Sequence, residues 1–173
     1  MNSDQITAKF GSYHVEVLYQ DDNRRLASLH SRHADSTVCR TLAVTQFCQP
    51  VPAKLQNADG DIRKGMSIGT TLRSAGLSIH KQVLVRLRAR AGEAFAQLSH
   101  QTVAPGTLLH VCLYRLSAGA PEAKPEPYAT IAEAHHPEHI PPHADDPEAS
   151  AVSLETLDAQ SMSALQALLS AIV

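Results

Sequence analysis

Proline distribution is the strongest constraint on how this chain can fold. Seven of its ten prolines lie between Pro121 and Pro147, together with four of its ten histidines. Proline fixes φ and supplies no amide donor, so most of that stretch is expected to be loop or extended chain. Only the run 128–135 (YATIAEAH) alternates well enough to be a strand within it. Charge divides at the same place. Residues 121–148 carry seven acids and one base, Lys124, which leaves 14 basic and 10 acidic residues elsewhere. The net charge of −2 is therefore the sum of a mildly basic body and an acidic segment.

A chain of 173 residues with 43% hydrophobic content can bury a core without metal or disulfide support. The reading is a body over 1–120, a Pro/His/acidic segment over 121–150, and a helix over 151–173 packing on the same domain. Near-neutral charge, 4% aromatic content and no Trp argue against a polybasic or base-stacking nucleic-acid binder. No apolar run approaches the ~20 residues of a membrane span. The polar start Met1-Asn2-Ser3-Asp4-Gln5 lacks a signal-peptide core. Cys39, Cys48 and Cys112 form no CxxC pair, so neither a disulfide framework nor a thiolate zinc site is expected. A cytoplasmic protein with no membrane or nucleic-acid partner fits these features; oligomeric state stays open.

The body reads as strands. Residues 10–20 alternate around Tyr13, Val15, Val17 and Tyr19, and Asp21-Asp22-Asn23 marks a turn. Residues 25–31 and 37–47 continue the pattern, which predicts an antiparallel meander. A single short helix is expected from Asp59-Gly60-Asp61 to a stop at Gly76. Residues 77–90 form the clearest strand, with Leu77, Ile79, Val83, Val85 and Leu87 on one face and an arginine row on the other. A short helix over 92–100 and a strand over 107–116 follow. The tail predicts a helix capped by Ser153, with Leu154, Leu157, Leu165, Leu168 and Leu169 as its stripe. Strands with segregated helices give an α+β fold, an antiparallel β-sheet with flanking helices.

Arginine is the residue type most suited to chemistry here, because a guanidinium donates two parallel hydrogen bonds to a carboxylate. Arg86, Arg88 and Arg90 read as a solvated strand face. Arg24, Arg25 and Arg40 bracket two neighbouring strands, and the stretch Arg25-Leu-Ala-Ser-Leu-His-Ser followed by Arg40-Thr-Leu-Ala-Val resembles the paired strands of bacterial chorismate lyases. Pro52-Ala-Lys-Leu and Gly65-Met-Ser-Ile-Gly-Thr-Thr-Leu-Arg resemble that family's connection and its turn into a short helix. The same turn occurs in the related ligand-binding domains of GntR-type regulators. The likeness covers about residues 14–116, with an insertion between Arg40 and Gly69.

The resemblance implies a chorismate lyase-like fold. It also implies a site in which Arg25 and Arg40 serve a carboxylate ligand and a backbone amide at Ile68 or Gly69 holds another oxygen. In that family chorismate loses pyruvate to leave 4-hydroxybenzoate, so Arg25 would be the catalytic arginine. The family's late-strand Glu aligns with Leu113 or a neighbour here, and no acid occurs between Gln97 and Ala120. Glu133, on the following expected strand, is a possible replacement. Three readings stand: a carbon–oxygen lyase of this type, a non-catalytic binder of an aromatic or enol-pyruvyl acid, and a metal-binding protein. The last would use His135, His136 and His139 of HHPEHIPPH, whose bland counterpart is a solvated loop. No cofactor is expected.

Overall fold

The computed structural model describes residues 2–142 and 156–173. In chain order the elements are α1 (Asn2–Phe10), β1 (His14–Gln20), β2 (Arg24–His33), β3 (Ser36–Phe47) and a 3-10 turn (Ala53–Leu55). Then come α2 (Gln56–Arg63), α3 (Ile68–Ser74), β4 (Ser78–Arg90), α4 (Glu93–Leu98), β5 (Leu108–Gly119), β6 (Glu126–His135) and α5 (Ala159–Ala171). The strands form one sheet in the order β1-β2-β3-β6-β5-β4, and every neighbouring pair is antiparallel. The fold is α+β, an antiparallel sheet with flanking helices.

The meander is β1–β2–β3, closed at its first corner by Asp21. Its carboxylate accepts from the amides of Asn23 and Arg24 at 2.8 and 2.7 Å. The first strand starts at His14 rather than residue 10, because residues 2–10 form α1. That helix carries one fully buried apolar side chain, Ile6, which is too little periodicity to announce it.

The alternating run inside the proline-rich segment is β6, which lies between β3 and β5 in the middle of the sheet. Pro127 sits at its start, opposite an irregularity between Leu116 and Ser117 where no regular ladder bond is needed. Residues 128–135 are all buried, as a strand covered on both faces requires.

The sheet separates two cores. On one face Val44, Leu109, Val111 and Leu113 pack against Phe95 of α4 and Ala164, Leu165, Leu168 and Ile172 at α5. On the other, Phe47, Tyr114, Leu116 and Tyr128 meet Leu55, Ala58 and Ile62 of the 3-10 turn and α2, and Leu72 of α3. The apolar row expected along β4 is shared between them. A bulge between Val83 and Val85 reverses the alternation, so Ile79 faces the α2–α3 core and Val85 the α5 core.

Two further expectations change. The helix expected from Asp59 to Gly76 is two helices, broken where Gly65 adopts φ +102°. The terminal helix starts at Ala159, where the Asp158 carboxylate accepts from Ser161 N at 2.7 Å. Ser153 and Leu154, expected at its start, lie outside the described residues, as does His143. No helix of the described residues is long and apolar enough to cross a membrane.

Replacing Leu168 by Ala in urea unfolding is expected to cost about 2–5 kcal/mol, because its side chain is fully buried. Gly92→Ala is expected to destabilise as well. An added Cβ would collide with the backbone of Val173, whose neighbour Ile172 accepts from Gly92 N at 2.8 Å. A Gly92→Ala protein of unchanged stability would show that this packing is not maintained in solution.

Candidate functional site

The antiparallel register aligns side chains in rows across the face that α2 and α3 cover. Arg25, Thr45, Ile131 and Tyr114 form one row; Ala27, Ala43 and Glu133 form the next. The pleat sends all of them to the same face. Asn2, Ser3, Tyr13 and the start of α3 (Ser67, Ile68, Gly69) close over these rows. They leave a mainly apolar cavity with about 60 Å³ open to the centre of a water molecule. Ala27 and Ala43 make its floor shallow. Arg25 stands on one side of that floor and Glu133 on the other.

Arg25 is 2% exposed and has no carboxylate partner among the described ion pairs. Three backbone carbonyls hold it instead. Nη1 donates to Met66 O at 2.8 Å and Ile62 O at 3.2 Å, and Nη2 donates to Gly65 O at 3.2 Å. The break between α2 and α3 is what turns these carbonyls toward the sheet, and the left-handed Gly65 makes the break. Nε has no acceptor. Burial draws the guanidinium below its ordinary value, while the neighbouring Tyr13 and Tyr128 favour its charge. Tyr13, raised by burial, donates to Ser67 Oγ at 3.0 Å and so fixes the start of α3 against the sheet.

Glu133 is 7% exposed. Its Oε1 accepts from Tyr114 Oη at 2.9 Å, and Oε2 lies 3.7 Å from His135 Nε2. Burial and the adjacent Glu133 push the Tyr114 hydroxyl well above its usual range, so it remains a donor. Lys81 also lines the cavity, its Nζ 4.1 Å above the Tyr114 ring.

The structure thus brings Arg25, Ile68 and Gly69 to one cavity and leaves Arg40 out of it. Arg40 is the extra residue where the register shifts between Leu29 and His30. Its Nε donates to Ser31 Oγ at 2.8 Å, its Nη1 pairs with Glu138 at 2.7 Å, and it stacks 3.9 Å from the Phe10 ring centroid. It joins β3, α1 and the turn after β6. Leu113 faces the α5 core, so it does not occupy the position expected for the late-strand acid; Glu133 one strand later lines the cavity. Nothing in the sequence marked Asn2, Tyr13, Lys81 or Tyr114 as lining residues, because they converge from α1, the segment before β1, β4 and β5.

The three described histidines of HHPEHIPPH are not solvated. His135, His136 and His139 are 2%, 1% and 7% exposed. His136 Nδ1 accepts from Glu138 N at 3.1 Å, and its Nε2 lies 3.0 Å from Thr102 Oγ1. Among the described residues no group of three or more His, Cys, Asp or Glu side chains is arranged to hold a metal ion. Cys39 lies in the α5 core, its thiol pushed up to about 12 by burial. Cys48 and Cys112 are half-buried.

No family model matches the chain, and no curated protein matches it in sequence. Among solved structures it is similar to a GntR-family transcriptional regulator from Enterococcus faecalis V583, at 14% identity and TM-score 0.42. That match covers 78% of this chain and 96% of the regulator. The possible transcriptional regulator YydK from Bacillus subtilis subsp. subtilis str. 168 is similar at 9% identity and TM-score 0.43, over 74% of this chain and 56% of that one. The C-terminal domain of Yurk from the same organism is similar at 15% identity and TM-score 0.39, over 80% and 84%.

Burial holds His136 and His139 down to about 4 and His135 well below its usual value of 6.5. A depressed folded-state pKa leaves stability intact above 6.5. As pH falls below 6.5 the unfolded chain takes up the protons first, so stability is lost toward pH 4. The unfolding free energy is expected to fall between pH 6.5 and 4.5, by up to a few kcal/mol for each histidine. His136→Gln is expected to shallow that slope, as followed by thermal unfolding across the range. A slope unchanged in the variant would refute the assignment.

Proposed function

We propose that this protein binds a small aromatic or enol-pyruvyl carboxylate in the cavity between β2, β3, β6 and α3, with Arg25 as its anchor. One observation carries the reading: a buried guanidinium lines a cavity, and among the described residues its Nε–H has no acceptor and the guanidinium has no carboxylate partner. Desolvating a cation costs several kcal/mol, and a bound carboxylate offsets that cost with charge-assisted hydrogen bonds. The amides of Ile68 and Gly69 at the cavity wall belong to a first helical turn and have no intrahelical acceptor. They provide donors for a second ligand oxygen. The apolar floor over Ala27 and Ala43 accepts a flat ring.

A second reading, elimination of pyruvate from chorismate, is favoured by Glu133. It stands across the floor from Arg25, on a late strand, as the likeness to chorismate lyases anticipates for an acid. In that reaction the bond from the ring carbon to the ether oxygen breaks, the hydroxyl-bearing ring carbon loses its proton as the ring becomes aromatic, and the departing enol-pyruvate gains a proton at its methylene to leave as pyruvate. Positioned charges in a water-poor cavity assist this without a nucleophile.

Incubation with chorismate, followed for hydroxybenzoate and pyruvate, separates the two readings. Product formation lost in Arg25→Ala and Glu133→Gln supports the lyase. Thermal stabilisation by chorismate or 4-hydroxybenzoate without turnover, lost in Arg25→Ala and in the floor-filling Ala43→Leu, supports a binder. The expected loss of affinity in Arg25→Ala is about 10–100-fold. Stabilisation indifferent to both substitutions would overturn the cavity as the site.

A further inference from the structure

Glu133 terminates a chain of buried polar groups that starts in the turn after β6. His139 Nε2 meets Asn2 Oδ1 at 2.5 Å, and Asn2 Nδ2 donates to Thr41 Oγ1 at 3.1 Å. Thr41 Oγ1 lies 3.0 Å from His135 Nδ1, and His135 Nε2 faces Glu133 Oε2 at 3.7 Å. Asn2, Thr41, Glu133, His135 and His139 are all buried.

Donor supply assigns the protons. An amide nitrogen only donates, so Asn2 fills one lone pair of Thr41 Oγ1; on the far side of the ring Glu133 Oε2 faces His135 Nε2 and favours the tautomer protonated there, which leaves Nδ1 to accept from the Thr41 hydroxyl. Burial keeps the imidazole neutral, so its single proton sits on Nε2, toward Glu133. At the far end the amide oxygen of Asn2 only accepts, which places the proton of His139 on Nε2. The Nε2–H of His135 reaches Glu133 as an electrostatic contact, too long for a hydrogen bond, while Tyr114 supplies a full one to the other oxygen. Both carboxylate oxygens therefore face donors of the protein, and their remaining lone pairs are acceptors only.

We infer that His135, held by Thr41 and Asn2, is a positioning residue that orients Glu133 to select ligands carrying a hydrogen-bond donor opposite their carboxylate. This rests on reading the cavity as a carboxylate site anchored at Arg25. Unlike a purely structural role, it predicts an effect on discrimination and not on affinity alone. A ligand without the donor leaves the buried acceptor unmatched, and one with it does not.

The probes are 4-hydroxybenzoate and benzoate, titrated calorimetrically into the full chain. The wild type is expected to prefer 4-hydroxybenzoate by about tenfold. In His135→Leu that preference falls toward unity while benzoate binds as before, and His135→Gln, whose amide can donate from near the Nε2 position, restores it. Thr41→Val, nearly isosteric, tests the same link should the leucine variant fail to fold, and is expected to weaken the preference. Equal weakening of both acids in His135→Leu, or a preference untouched by His135→Leu and Thr41→Val while Arg25→Ala abolishes binding, overturns the inference and leaves the carboxylate site standing. Binding of neither acid, or binding indifferent to Arg25→Ala, overturns the site and the inference with it.

Discussion

A guanidinium with no carboxylate partner among the described residues, sealed between a sheet and two short helices, is the constraint around which this structure is arranged. Removing such a cation from water costs several kcal/mol. Hydrogen bonds to a charged group contribute roughly 1.5–3 kcal/mol each, and Arg25 makes three to backbone carbonyls. The two quantities are comparable, so the carbonyls suffice to hold the arginine without exhausting its donors. The break between α2 and α3 follows from the same requirement. A continuous helix would keep its interior carbonyls within its own ladder; the turn at Gly65 frees Ile62, Gly65 and Met66 to face the sheet.

The opposite wall depends on sheet order. β6 enters between β3 and β5, which brings Glu133 onto the face that carries Arg25. Two strand spacings of about 4.8 Å and one two-residue step of about 6.8 Å separate them at the backbone. Ala27 and Ala43 lie beneath the gap, and their small side chains leave it unfilled. Charge, counter-charge and apolar floor are therefore products of one register. Had β6 slipped by a single residue, Glu133 would face the α5 core.

Much of the framework was legible in the chain. Alternation located five strands to within a few residues, and the apolar run inside the proline-rich segment marked the sixth. Arg25, singled out through the likeness of its surrounding strands, and Ile68 and Gly69, singled out through the glycine-containing turn, line one cavity. Elsewhere alternation misled, at the places where it is physically interrupted. The bulge in β4 divides an apparent single face between two cores, and the bulge at Arg40 sends that arginine to Glu138 and Phe10 rather than to the cavity. The histidines looked solvated because proline and acid surround them in sequence. In space Thr41, Thr102 and Asn2, all distant along the chain, supply the partners that make their burial tolerable.

By itself the sequence determined the periodicities: which residues alternate, where proline forbids helix, and that an α+β sheet is the consistent outcome. Those are local properties, set by a few covalent neighbours and by the two faces of a strand. Only the tertiary structure decided that the proline-rich segment contributes a strand inside the sheet, that the acid sharing the cavity with Arg25 is Glu133 of β6, and that the histidines belong to the interior. Each of these depends on strand order and register. They are settled by pairings between residues tens of positions apart, where the decisive energies are burial and the satisfaction of polar groups rather than local preference.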